Sequence, residues 1–147
     1  MAVRVQQEPF SLGAEVEAFA AGRSDAGAVV TFTGIVRDLA SGVLNRMVIE
    51  HYPGMTQSAL EGIEAQARER WELKDCLIIH RYGEMAPGDM IMMVATASPH
   101  RADAFEAAEF LMDYLKSRAP FWKKEITAQG ETWVESKAED EDALARW

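Results

Sequence analysis

The sequence predicts an α+β domain, with two or three main helices laid on a mainly antiparallel sheet. Three observations carry this. Apolar residues recur at helical spacing in separate windows. Between those windows lie short runs rich in β-branched and aromatic residues. The order also shifts, from strand–helix–strand early on to strands joined by tight turns later. A chain of 147 residues is about one domain, so a single unit over 1–147 is expected, with an acidic tail from about residue 137.

Ser11 can cap a first helix in which Leu12, Val16, Phe19 and Ala20 share a face. AGAVVTFTGIVR, residues 26–37, is mostly apolar and β-branched and reads as a buried strand. DLASGVLN is a loop, and RMVIEHY, residues 46–52, is a second strand. Pro53-Gly54 then turns into a helix of roughly four turns, with Met55, Ala59, Ile63 and Ala67 leading to Trp71. DCLIIHRYG (75–83) and MIMMVATAS (90–98) read as strands on either side of the turn APGD. A second long helix should run from about Pro99 to Arg118, with Phe105, Ala108, Leu111, Met112 and Leu115 as its apolar stripe. Ala119-Pro120 ends it. FWKKEITA and ETWVES flank Gln129-Gly130 as a hairpin. In the acidic tail AEDEDALARW, helical near its end, Trp147 is free to dock.

Composition excludes several classes. The net charge is −9, and the acidic pI near 4.8 argues against general nucleic-acid binding. No apolar run approaches the ~20 residues of a membrane span, and MAVRVQQEPF lacks a signal-peptide core, so a cytoplasmic protein is expected. One cysteine, Cys76, forms no internal disulfide and fits an inert buried thiol. His51, His80 and His100 match no zinc spacing; His51 and His80, inside strands, read as core-edge or surface histidines, and no metal is expected. The eight methionines read as core, with a partner groove as the other use of such residues.

Against this acidic background, KSRAPFWKKE stands out. Lys116, Arg118, Lys123 and Lys124 fall within nine residues that hold no carboxylate. Lys116 sits where a helix C-terminus favours a cation. Strand alternation sends Lys123 and Lys124 to opposite faces, with Lys123 beside Phe121 and the better aimed at a pocket. A clustered, partly desolvated lysine can serve as acid, base or nucleophile; a basic surface patch is the plain alternative. Ser98-Pro99 fits N-cap and N1, which puts His100 and Arg101 in a first helical turn. Two cations there suit a bound anion, or Arg101 pairs with Asp38, Asp103 or Glu106. Arg37 closes its strand beside a loop, as a ligand contact or a solvated end.

GAVVTFTGIVRD, IEHYPGMTQSALEGI, HRYGEMAPGD, ASPHRADAFEAAEFLMDYLKSRAPFWKKE and GETWVE occur in that order. Together they resemble the catalytic large subunit of molybdopterin synthase, the MoaE family, from about residue 5 to the end. The resemblance implies an α/β-hammerhead fold with an additional antiparallel β portion. It implies conversion of cyclic pyranopterin monophosphate (precursor Z) into molybdopterin by transfer of two sulfurs. The donor it implies is the C-terminal glycine thiocarboxylate of a small ubiquitin-like subunit, and the assembly a homodimer at the core of a heterotetramer. It implies substrate contacts at Ile35, Val36, Arg37, His100, Arg101, Lys116, Lys123, Lys124 and Glu125, with Lys116 and Lys123 catalytic. No cofactor is expected, because the sulfur arrives already activated. The competing class is a non-catalytic dimeric scaffold whose basic groove binds an anionic C-terminal peptide tail. That class gives no reason for a His-Arg pair at a helix start.

Overall fold

Two four-stranded sheets share one chain, and the candidate chemistry lies where they meet. The computed structural model describes residues 2–135 and 137–147. In chain order the elements are β1 (Ala2–Gln6), α1 (Leu12–Ala20), β2 (Ala28–Ile35), β3 (Arg46–His51), α2 (Met55–Arg70), β4 (Asp75–Arg81) and β5 (Gly83–Met85). Then come β6 (Met90–Ser98), α3 (Arg101–Ser117), β7 (Phe121–Thr127), β8 (Gly130–Trp133), α4 (Ala138–Ala143) and a 3₁₀ turn, Leu144–Arg146. The first sheet has the order β1-β4-β6-β2 and the second β5-β3-β7-β8. All pairings are antiparallel except β1 with β4.

The α+β class therefore holds, with three long helices and a short fourth in the tail. α1 begins as expected, with the Ser11 hydroxyl accepting from the Ala14 amide. Its face packs Phe19, Val16 and Leu12 on Leu77, Ile79, Met93, Ala95 and Ala97. The alternate residues of the same strands, Cys76, Ile78, Met92 and Val94, face the larger core with Leu60, Ile63, Phe110 and Leu111 of α2 and α3. Covered on both sides, β4 and β6 read as unbroken apolar runs rather than alternating ones. In α2 the buried stripe is Thr56, Leu60, Ile63, Glu64 and Ala67, so the face is rotated from the predicted one and Met55 is exposed. No helix among the described residues is long and apolar enough to cross a membrane.

One strand adds to the predicted elements, and two expectations need correction. The N-terminal stretch is a strand: β1 runs parallel to β4, Ala2 beside Leu77 through Gln6 beside Arg81. The predicted strand 75–83 is two strands in different sheets. The Tyr82 amide donates to Gln6 O, and Gly83, at φ 94°, turns the chain to pair with Ile49 of β3. The third helix starts later than expected. Ser98 stays in β6 opposite Ala28, fully buried, and its hydroxyl donates to the His100 carbonyl. His100, extended at φ −131° and ψ 151°, is the N-cap, so of the pair only Arg101 lies inside the helix. Gly27 allows this junction, since a Cβ there would come 2.5 Å from Pro99 O. The hairpin of β7 and β8 closes with Thr127 opposite Gly130; Ser136, at the end of the predicted 131–136 run, lies outside the described residues.

Candidate active site

The C-terminal end of α3 and the start of β7 form one wall of a cavity of about 210 Å³. Phe32, Gly34 and Ile35 of β2, Ile91 and Met92 of β6, and Met112 and Leu115 of α3 give it apolar walls. Its polar groups are Lys116, Lys123, His80, Glu135, Lys137 and Asp140. An apolar cleft with a few convergent polar groups is the usual form of a small-molecule site.

The break at Ala119-Pro120 sets the geometry. α3 ends at Arg118, whose amide bonds Tyr114 O, and the chain re-enters a strand at Phe121. Thr56, fully buried at the start of α2, accepts from the Tyr52 amide at 3.0 Å and donates to Pro120 O at 3.1 Å, pinning that turn. Alternation in β7 then sends Phe121 and Lys123 into the cavity. Trp122 and Lys124 take the other face. Trp122 packs on Tyr52, and Lys124 pairs with Glu131 at 3.3 Å above the Trp133 ring.

Lys123 is half-buried, and burial lowers its pKa to about 8, helped by the positive charge of Lys116 and opposed by Asp140. His80 is buried and stacked on Phe121, ring centroids 3.7 Å apart. Burial pushes its pKa down to about 3, with Lys123 and Lys116 adding to the effect against its bond to the Arg81 carbonyl. The imidazole is therefore neutral. Lys116 lies exposed on the cavity rim.

The cavity's remaining wall is the tail. Ser117 Oγ donates to Asp140 O, Arg118 pairs with Glu141 at 3.0 Å, and Arg146 bonds Glu109 and Asp113 of α3. Trp147 donates from Nε1 to Asp113 and packs edge-on against Phe110 and Trp71. This strap holds Val134, Glu135, Lys137 and Asp140 along the cavity.

Of the sequence-predicted residues, the cavity brings together Ile35, Lys116 and Lys123. Val36 is buried in the core, its amide donating to Asp89 O and its carbonyl accepting from Gly88. Lys124 and Glu125 lie on β7 outside the cavity lining, Glu125 opposite Met47 and Thr132. Arg37 is exposed just past the β2 end that forms the cavity. His100 and Arg101 are at the far end of the same sheet. Ile35 pairs with Met90 while Ala28 pairs with Ser98, so one strand length separates the two groups. At ~3.3 Å per residue that is roughly 23 Å, and within one protomer Arg37 and the His100-Arg101 pair form no common clamp. Arg101 makes no ion pair among the described residues, and the carboxylates proposed for it are engaged elsewhere. Asp103 accepts from the Glu72 amide, Glu106 from Trp71 Nε1, and Asp38 from the Leu39 and Leu44 amides.

Sequence reasoning missed His80, Glu135, Lys137 and Asp140 as cavity residues. For His80 a signal existed: it is in phase with Cys76 and Ile78 on the helix-facing side of β4. Cys76 is fully buried, its thiol pushed up to about 12 by burial. No cluster of metal-ligating residues occurs among the described residues.

A family profile described as MoaE protein matches residues 5–118. The molybdopterin synthase catalytic subunit of Cereibacter sphaeroides is 64% identical over 147 residues, spanning 100% of both chains. The solved molybdopterin biosynthesis MoaE protein from Burkholderia ambifaria superposes with TM-score 0.85 at 52% identity, covering 100% of this chain and 98% of that one. The crystal structure of molybdopterin synthase from Staphylococcus aureus gives 0.82 at 33% identity, covering 90% and 96%.

Proposed function

The chain belongs to the MoaE family, and on that premise we propose that it is the catalytic subunit of a molybdopterin synthase, transferring sulfur to cyclic pyranopterin monophosphate. The observation that carries this reading is the pair Lys116 and Lys123, brought from two elements to one apolar-walled cavity. A planar heterocycle suits the walls, and an anionic thiocarboxylate tail suits the lysines. The thiocarboxylate sulfur attacks a carbon of the pterin side chain, the C–O bond at that carbon breaks and its oxygen leaves protonated. Water then hydrolyses the resulting thioester, leaving sulfur on the pterin and a carboxylate on the carrier. Protonated Lys123 polarises the carbonyl under attack, and Lys116 holds the incoming anion. The donor is a small ubiquitin-like subunit whose C-terminal glycine enters the cavity, and the reaction is cytoplasmic.

The phosphate falls to Arg37, His100 and Arg101, and their separation within one protomer makes the site a shared one. β2 is an edge strand with exposed Val29, Phe32 and Ile35. Two copies pairing antiparallel along β2 through a two-fold axis set the Arg37 end of one opposite the His100-Arg101 end of its partner. Val36 holds the Arg37 backbone in place from the core, while Lys124 and Glu125 anchor β7 beside Lys123.

Reconstitution tests the reading. Wild-type protein mixed with cyclic pyranopterin monophosphate and a thiocarboxylated carrier subunit forms the dithiolene product. Lys116→Ala or Lys123→Ala lowers turnover by about 10²–10⁴-fold with unchanged circular dichroism. Near-wild-type turnover in both variants overturns the assignment.

A further inference from the structure

His80 has no place in the scheme above, yet its surroundings are those of a ligand contact. The ring is fixed twice. Its face lies on Phe121, tilted only 16°, and Nδ1 is 2.8 Å from the Arg81 carbonyl. A carbonyl only accepts, so Nδ1 carries the hydrogen and Nε2 carries the lone pair. Nε2 has no hydrogen-bond partner among the described residues, and it is not sealed in protein either. The unpartnered sealed side-chain atom among the described residues is Glu64 Oε2. What remains of His80's accessible surface, 6%, therefore includes Nε2, and the residue lines the cavity. A buried core histidine normally satisfies both nitrogens; this one presents a bare acceptor to an open space.

The other polar groups around that space make the acceptor informative. Lys116, Lys123 and Lys137 only donate, and Glu135 and Asp140 come from the tail wall. Among the described residues, His80 is the one uncharged acceptor side chain of the cavity's polar groups. An uncharged acceptor between apolar walls suits an N–H or O–H donor on a flat ring, and such a donor is matched there without a second negative charge. We infer that His80 is a substrate-binding residue, its neutral Nε2 accepting a hydrogen bond from a ring N–H or O–H of the heterocyclic substrate. The inference rests on the function proposed above. It adds a contact that fixes the ring's orientation, distinct from the lysines that handle charge.

The burial of the imidazole supports the assignment. With its pKa near 3 the ring stays uncharged at any pH at which the protein works, so the acceptor is permanent and adds no positive charge beside Lys123. Phe121 contributes twice, as cavity wall and as the surface that sets the imidazole plane.

Calorimetry with cyclic pyranopterin monophosphate alone, without carrier, tests this. His80→Phe keeps the ring stack and the volume but removes the acceptor, whereas His80→Gln restores an amide oxygen at similar reach. Affinity should fall about tenfold or more in His80→Phe and stay within about threefold of wild type in His80→Gln. In the full reaction the His80→Phe loss should appear in KM rather than kcat. Unchanged affinity in His80→Phe overturns the inference, as do equal losses in both variants, which would trace the effect to the Nδ1 link with Arg81. Wild-type protein that binds no pterin phosphate overturns the functional reading itself. If His80→Phe does not fold, ¹⁵N NMR of the wild-type ring decides. The non-protonated Nε2 resonance must shift on pterin addition, and a resonance that does not move refutes the contact.

Discussion

The two ends of α3 carry cations under opposite conditions. At the C-terminal end Lys116 sits where the helix dipole favours a positive charge, close enough to Lys123 to help depress its pKa. That end is walled by β7, β2 and the tail strap, which Ser117 holds through Asp140 O. At the N-terminal end His100 and Arg101 are exposed, and the dipole works against the Arg101 charge. One end is a finished cavity whose electrostatics are tuned by burial. The other is a half-site, with His100 and Arg101 beside the amides of the first helical turn. In the proposed scheme, the groups for sulfur chemistry and those for phosphate binding thus lie about one strand length apart in a protomer.

Complementation tests that division most severely. Lys123→Ala and Arg101→Ala homodimers should each be nearly inactive. Co-refolded, half of the dimers are mixed and each mixed dimer regains one intact shared site, so activity should return to about a quarter of wild type. Mixed samples as dead as the parents would show that both clusters act within one protomer.

The tuned end makes a smaller, sharper prediction. NMR titration of the Lys123 side chain should give a midpoint near 8, and Lys116→Met should move it upward toward an ordinary lysine, by about one unit. A wild-type midpoint near 10.5 would refute the tuning. The linkage sign follows. Native Lys123 loses its proton near pH 8 and the unfolded chain near ~10.4. Between those values the unfolded state binds more protons, and stability rises with pH. Lys123→Met should flatten that rise, as read by denaturant midpoints from pH 7.5 to 10. Turnover that needs the ammonium should fall through the same midpoint near 8.

The smallest effect concerns how the finished end is held. Thr56→Val removes both bonds of the buried hydroxyl to Tyr52 and Pro120. It should cost about 1–3 kcal/mol of stability by chemical denaturation, with only a few-fold loss of turnover as the Pro120 turn relaxes. An unchanged unfolding midpoint would mean that the turn is fixed by other contacts.

Much of this was legible in residue order. Ser11, Pro53-Gly54 and Ala119-Pro120 mark helix ends through local backbone chemistry, and the structure breaks there. Lys123 beside Phe121, opposite in sense to Trp122 and Lys124, follows from strand alternation alone. What was not legible is whatever depends on a distant partner. β1 exists because β4 offers an edge to it. Ser98 has the chemistry of a cap, yet pairing with Ala28 keeps it in the strand. The tail read as an acidic run, helical near its end, with Trp147 free to dock. Residue order did not say where: Trp147 on Phe110 and Trp71 draws Glu135 and Asp140 to the cavity. Arg37 and His100-Arg101 looked like one clamp because sequence gives residue types and not which end of a sheet each occupies.

Cys76 faces the core with no exposure, its proton held to about pH 12. For a protein proposed to hand sulfur from a carrier to a pterin, this keeps its one thiol inert as an electrophile trap. It should not take the carrier's acyl group as a thioester. The same insulation gives a practical handle. In the assembled complex, an alkylating reagent should mark the carrier's thiocarboxylate and leave this chain unlabelled, so sulfur loading can be followed during turnover without mutating Cys76.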